Sequence, residues 1–262
     1  MTFNEVKRMR EDKTARLKEL TDLLGRASRA YYQESREIMT NFEYDALYDE
    51  LSALEAETGT VLASSPTVNV GYEVLSDLPK EAHPQRMLSL DKTKDIDQLT
   101  QWIGSQKGLL SWKLDGLTIV LTYRDGRLFK AVTRGNGEVG EVITNNARVF
   151  VNLPVSIDFK GELVLRGEAV ISYEDFERIN QSIDGEGEKY KNPRNLCSGS
   201  VRQLSNKITA ERNVRFYAFS MVSAEGMDFG SRSGQMEWMS RLGFECVEYH
   251  AVDAQNLRAT VE

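Results

Sequence analysis

Lys113-Leu114-Asp115-Gly116-Leu117 places an amine two residues ahead of a carboxylate and runs directly into an alternating apolar stretch, Leu117, Ile119 and Leu121. Alternation of period two marks a strand with one buried face, and in an extended segment Lys113 and Asp115 share one side. Residues 118–123 and 127–133 flank Asp125-Gly126, a hairpin signal because both turn positions must accept positive φ.

Strands are also predicted over residues 163–171, 213–222 and 246–249, and a helix over 96–105 leads into the lysine strand. A helix over 172–183 opens on Ser172, with Asp175 at the reciprocal capping position. Another over 233–242 is stopped by Gly243. Upstream, Leu17, Leu20, Leu24, Ala27 and Tyr31 form one stripe of a long helix over residues 6–31. A second helix over 42–58 buries Leu47, Leu51 and Leu54 and carries Asn41, Tyr44, Asp45 and Tyr48 on another face. Residues 59–85, with Gly59, Pro66, Gly71, Pro79 and Pro84, read as a meandering linker. Helices and strands mix without regular alternation, so an α+β fold with an antiparallel sheet is expected.

The chain has 262 residues, 40% of them apolar, enough for an ordinary core. No apolar run approaches membrane-spanning length and the first residues are charged, so a cytoplasmic protein without membrane contact is expected. Cys197 and Cys246 stand in unrelated contexts and read as buried small hydrophobes. His83 and His250 are isolated, which argues against a histidine-centred hydrolase or metal cluster. A net charge of −7 is the wrong sign for nonspecific DNA binding, so any DNA contact must use a local basic patch. Lys189, Lys191, Arg194, Arg202, Lys207, Arg212 and Arg215 could form one, or equally a solvated charged face.

Lys-x-Asp-Gly is similar to the nucleophile motif of the covalent nucleotidyltransferases, in which a lysine amine attacks an α-phosphorus and carries the nucleotidyl group as a phosphoramidate. Thr133-Arg134-Gly135-Asn136-Gly137, Gly140-Glu141, Thr144-Asn145-Asn146, Arg166-Gly167-Glu168, Asn192-Pro193-Arg194-Asn195 and the run 199–204 follow in order. Ser65-Pro66-Thr67, Val70-Gly71 and the run 87–91 precede them. Together, from about residue 20 to about residue 222, they resemble bacterial NAD-dependent DNA ligases.

That resemblance implies a helical hairpin domain over residues 1–65 followed by an antiparallel-sheet nucleotidyltransferase domain over 66–262. The latter is of the ATP-grasp-like ligase adenylation type, incomplete at its C-terminus. It implies Lys113 as the nucleophile toward NAD, with nicotinamide mononucleotide released, and Mg or Mn as divalent cation. Tyr31, Tyr32, Asn41, Tyr44 and Asp45 would take the nicotinamide half, where rings and a carboxylate suit a cationic pyridinium. Without the resemblance, that face reads as an ordinary packing seam. Ser89, Leu90, Asp115, Gly116, Arg134, Glu168, Arg194 and Arg202 would surround the adenylate. Lys113 is expected to be buried among cations, with its pKa depressed, and Arg134 to sit beside glycines that let ligand and backbone approach.

The implied partners are NAD and, for a complete ligase, nicked duplex DNA in replication and repair; a monomer is expected. Four positions depart from the family pattern: Asn41 and Asn136 each replace Asp, Ser111 replaces a Glu that contacts adenine, and Val142 replaces another Asp. An Asp-Gly-x-Val-x-Lys motif and a further lysine do not occur, so an N-terminal portion unable to seal nicks alone is expected. The alternatives are a noncatalytic dinucleotide-binding module and an ATP- or GTP-using RNA ligase or capping enzyme. The tyrosine-bearing helices argue against the last.

Overall fold

The computed structural model describes residues 3–34, 38–68, 77–87, 90–183 and 189–261. Helix α1 (Phe3–Glu34) buries Leu17, Leu20, Leu24 and Ala27. They pack against Leu51 of α2 (Asn41–Thr58), with Leu47, Leu54, Tyr44 and Tyr48 at the edge of the seam. A full capping box opens α2: Glu43 N donates to Thr40 Oγ1 (3.2 Å) and Thr40 N donates to Glu43 Oε2 (2.9 Å). Gly59, at φ +67°, closes it.

The stretch read as a linker contains two short strands, β1 (Val61–Leu62) and β2 (Lys80–Ala82). Pieces of two and three residues are too short to display alternation; their partners, far along the chain, make them strands. Helix α3 (Ile96–Ile103) is capped by Asp95, whose carboxylate accepts from Asp97 N at 2.8 Å. Strand β3 (Gly108–Ser111) then stops short of Lys113.

The hairpin of β4 (Leu117–Arg124) and β5 (Arg127–Thr133) turns at Asp125 and Gly126, both at positive φ (+50° and +77°), as the dipeptide predicted. The chain continues through β6 (Val139–Glu141), α4 (Thr144–Ala147), β7 (Pro154–Ser156), β8 (Leu163–Val170), α5 (Tyr173–Gln181), α6 (Pro193–Val201) and α7 (Asn206–Glu211). It then forms β9 (Arg215–Ala224), α8 (Arg232–Arg241), β10 (Tyr249–Val252) and α9 (Leu257–Val261). Two strand expectations are corrected. Asn213 sits at φ +51°, left-handed rather than extended, so β9 begins after it. Cys246 makes only an isolated parallel bridge with Ala218, and regular pairing starts at Tyr249. Cys197 is buried as expected, whereas Cys246 is only partly so.

The main sheet has six strands in the order β1-β7-β5-β4-β8-β9, every pairing antiparallel. One face is the core: Ile119, Leu121 and Tyr123 of β4 meet Leu163, Leu165 and Ala169 of β8 and Phe216 and Ala218 of β9. Tyr123 is fully buried; its hydroxyl donates to Pro154 O (2.5 Å), and its ring meets Phe244 edge-on at 5.3 Å. Asn152 acts as an extra strand residue. Its amide exchanges two hydrogen bonds with the backbone of Phe216, at 2.7 and 2.8 Å. The opposite face is only half covered. In register across it stand Thr118, Glu168 and Tyr217, and one pleat further Val120 and Arg166.

Candidate functional site

Lys113 lies in an irregular segment between β3 and β4, at the mouth of the central hairpin. The side chain is exposed, which corrects the expectation of a buried lysine. Its charge acts on Glu168, and so does that of Arg194. Asp115, two residues on, is also exposed and pairs with Arg194 Nη1 at 2.8 Å.

Gly116 is buried where β4 begins, beside Ala169 of β8. A Cβ there would lie 1.9 Å from Ala169 O. That approach brings the Gly116 N–H to Glu168 Oε1 (3.1 Å), while the Thr118 hydroxyl donates to Oε2 (2.9 Å). Both oxygens of Glu168 are therefore fixed. Burial pushes its carboxyl upward, opposed by the Thr118 and Gly116 hydrogen bonds and by the charges of Lys113 and Arg194.

Arg134 is half-buried and donates to Met87 O at 3.1 Å, tying the residue 87 strap to the end of β5. Its glycine neighbours have a use in the fold itself. Gly135 is at φ +56°, and a side chain there would strike Val139 O; Gly137 is at φ +93° and faces Met87 O. Asn136 completes the turn by accepting from Glu138 N and Val139 N, each at 2.9 Å. Leu90 is 85% exposed, and Ser89 lies outside the described residues.

Helix α6 carries the two remaining arginines at its ends. Asn192 caps it by accepting from Asn195 N (2.8 Å), and Arg194 sits in the first turn. At the far end Arg202 pairs with Glu141 of β6 and donates to Ser198 Oγ (2.6 Å). The helix is held from below by Asn146, whose amide donates to Val201 O (2.7 Å) and Gln203 O (2.8 Å) and accepts from Thr209 Oγ1 (3.1 Å). Of the wider basic stretch, Arg212 lies over Tyr190 and donates to Ser200 Oγ, and Lys207 faces Glu211.

On the hairpin, the Tyr44 hydroxyl meets Ser28 Oγ across the helices at 3.0 Å, and its ring stacks on Tyr48 at 6.4 Å. Asp45 is exposed. The side chains of Tyr31, Tyr32 and Asn41 lie outside the described residues, although all three belong to helices. A cleft of about 480 Å³ beside α1, lined by Thr21, Asp22, Ser64, Asp175 and Arg215 among others, contains none of these predicted residues.

The sequence reading did not select Phe219 and Trp112. Phe219 is 37% exposed at an irregularity of the β8–β9 ladder. Trp112 is 68% exposed, with its indole N–H held by Glu248 (3.1 Å). An aromatic next to the lysine was the available signal for Trp112. For Phe219 the signal was hidden, because the bulge breaks the alternation that marks its face.

A helical hairpin leading into a curled antiparallel sheet, with a lysine at the mouth of the central strands, is the architecture of an adenylation domain with an α+β fold. Two family models match the chain: the NAD-dependent DNA ligase adenylation domain over residues 75–261, and the DNA ligase-like N-terminal NAD+-binding domain over residues 10–71. The chain belongs to the NAD-dependent DNA ligase family. It is 62% identical over 252 residues to a DNA ligase of Ruminiclostridium cellulolyticum, covering 96% of this chain and 38% of that protein. A DNA ligase of Lachnoclostridium phytofermentans is 61% identical over 253 residues, covering 96% and 39% respectively. One from Helicobacter pylori is 36% identical over 240 residues, covering 88% and 36%. The chain thus spans less than two fifths of the length of these relatives. No described helix is long and apolar enough to cross a membrane.

Proposed function

We propose that this chain carries out the first half-reaction of a DNA ligase. Lys113 Nζ attacks the α-phosphorus of NAD, the bond to the nicotinamide mononucleotide phosphate breaks, and adenylate remains on the lysine as a phosphoramidate. The observation that carries this reading is Lys113 beside Glu168 and Arg194, in a chain that matches the family's adenylation domain over residues 75–261.

The residues around Lys113 divide the work. Glu168, fixed through both oxygens, orients the amine and a ribose hydroxyl; Thr118 and Gly116 position Glu168. Arg194 and Arg202 exchange their carboxylate partners, Asp115 and Glu141, for phosphate oxygens, where a guanidinium fork fits well. Phe219 supplies a stacking surface for the base, and Arg134 braces the residue 87 strap. Tyr31, Tyr32, Asn41, Tyr44 and Asp45 hold the nicotinamide half. In these terms residues 1–65 form the nicotinamide-side unit, tied to the sheet by β1, and residues 66–262 the adenylation unit.

A divalent cation stabilises the charge that develops on the phosphates when it is bound. Among the described residues no group of three acidic, histidine or cysteine side chains is gathered for one. Asp115, the exposed carboxylate within the motif, would help hold it beside the phosphates. In a complete ligase the adenylate passes to the 5′-phosphate at a nick in duplex DNA, and the neighbouring 3′-hydroxyl then displaces AMP.

The test is intact-mass analysis after incubation with NAD and magnesium. A gain of one adenylate is expected in the wild type and in Lys107→Ala, a variant at an exposed lysine outside the motif, and none in Lys113→Ala. Adenylation that persists in Lys113→Ala refutes the assignment, and labelling by ATP in place of NAD refutes the choice of donor.

A further inference from the structure

Arg166 stands on the half-covered face of the main sheet, in the middle of β8, and its Nε is buried without a hydrogen-bond partner. No ion pair of its guanidinium is found among the described residues. Val120 is its cross-strand neighbour on β4, and Val164 and Glu168 flank it along the strand. Glu168 does not neutralise it by hydrogen bonding, since its oxygens accept from Gly116 and Thr118. An arginine carries its charge throughout the physiological range, so a partly desolvated one without a counter-charge is costly.

The backbone is irregular at the same place. The β8–β9 ladder shifts register between Val164 and Leu165 and again between Arg166 and Gly167, and a Cβ at Gly167 would lie 2.2 Å from Phe216 Cζ. Bulges of this kind re-aim side chains and cluster beside ligand sites. Here they flank Arg166.

We propose that Arg166 is a phosphate-binding residue of the site. It lies two residues from Glu168 on the same face, about 7 Å along the strand, within reach of a diphosphate whose α-phosphorus is at Lys113. Its planar fork accommodates two oxygens of one phosphate. This rests on the adenylation reading for the identity of the phosphate, which is that of the departing mononucleotide.

The experiment uses inorganic pyrophosphate as the probe, titrated calorimetrically into the wild type, Arg166→Gln and Arg166→Lys, with melting curves for each. Arg166→Gln should weaken pyrophosphate binding by about tenfold or more, the loss of a charge-assisted contact. Arg166→Lys, which keeps the charge and stem without the fork, should fall between and remain folded. Unchanged affinity in Arg166→Gln, or equal affinity of Arg166→Lys and wild type should the glutamine variant not fold, overturns the proposal, as does a wild type that does not bind pyrophosphate. A wild type that binds pyrophosphate through Arg166 but gains no adenylate from NAD refutes the adenylation reading and leaves this site standing.

Discussion

Gly116→Ala tests whether the glycine of the lysine motif is there for the strand or for a ligand. Its ideal Cβ falls 1.9 Å from Ala169 O and 2.8 Å from Val170 Cγ1. The carbonyl belongs to β8, which is clamped by ladders to β4 and β9, so no flexible end can swing aside. The start of β4 must lift away by more than an ångström, breaking the Gly116 N–Glu168 bond of 3.1 Å. Overpacking of this kind costs about 1–3 kcal/mol, and a lost hydrogen bond to a charged group about 1.5–3 kcal/mol. Together the expected loss is about 3–5 kcal/mol, measured by urea unfolding followed by circular dichroism. Gly25→Ala is the control, since a Cβ there meets nothing within 4 Å in the middle of α1 and should stabilise by up to about 1 kcal/mol. A loss at Gly116 below about 1 kcal/mol would refute the close approach of β4 and β8.

Asn146→Ala removes three hydrogen bonds and strands two backbone carbonyls beneath α6, so urea unfolding should show a loss of roughly 3–5 kcal/mol. Glu168 has a folded-state pKa above its unfolded value, so its ionisation penalises the folded state as pH rises through the folded pKa. Melting Glu168→Gln against wild type should therefore favour the variant progressively as the pH rises above about 4, and a constant difference would contradict the shift. Burial pushes the Cys197 thiol up to about 12, so iodoacetamide should label it only after unfolding, as peptide mass mapping would reveal. Asp45→Ala, at an exposed position, should leave the melting temperature unchanged while slowing adenylation by NAD; equal rates would leave the nicotinamide face with a packing role alone.

What the sequence disclosed followed the range of the interactions involved. The Asp125-Gly126 turn, the Leu17–Leu20–Leu24 stripe and the Ser172 cap are decided by neighbours within one or two turns of chain, and each is found where the local pattern put it. Strands β1, β2, β6 and β7 are three residues or fewer and exist because a distant segment offers hydrogen bonds; no periodicity can announce them. The motif residues divide in the same way. Gly135, Gly137, Gly167, Asn136 and Asn146 turn out to satisfy turns, ring packing and buried carbonyls, whereas Lys113, Glu168 and Arg194 converge on one side of the sheet. Part of the motif pattern is thus architecture, which only the three-dimensional partners reveal.

The site's charges also divide by how firmly they are held. Glu168 is partly buried and fixed at both oxygens by a backbone amide and a threonine on a central strand. Lys113, Arg194 and Arg202 are exposed, and the two arginines rest on the exposed Asp115 and the half-buried Glu141 in surface ion pairs worth about 1 kcal/mol or less. A phosphate can displace such a partner at little cost, while Glu168 stays in place. The exposure of Lys113 has the same consequence. On the adenylation reading proposed above, activation of this exposed amine would therefore have to come from ligand binding that excludes water from it. An acid set in the sheet and cations free to change partners would suit the dinucleotide-cleaving site proposed above.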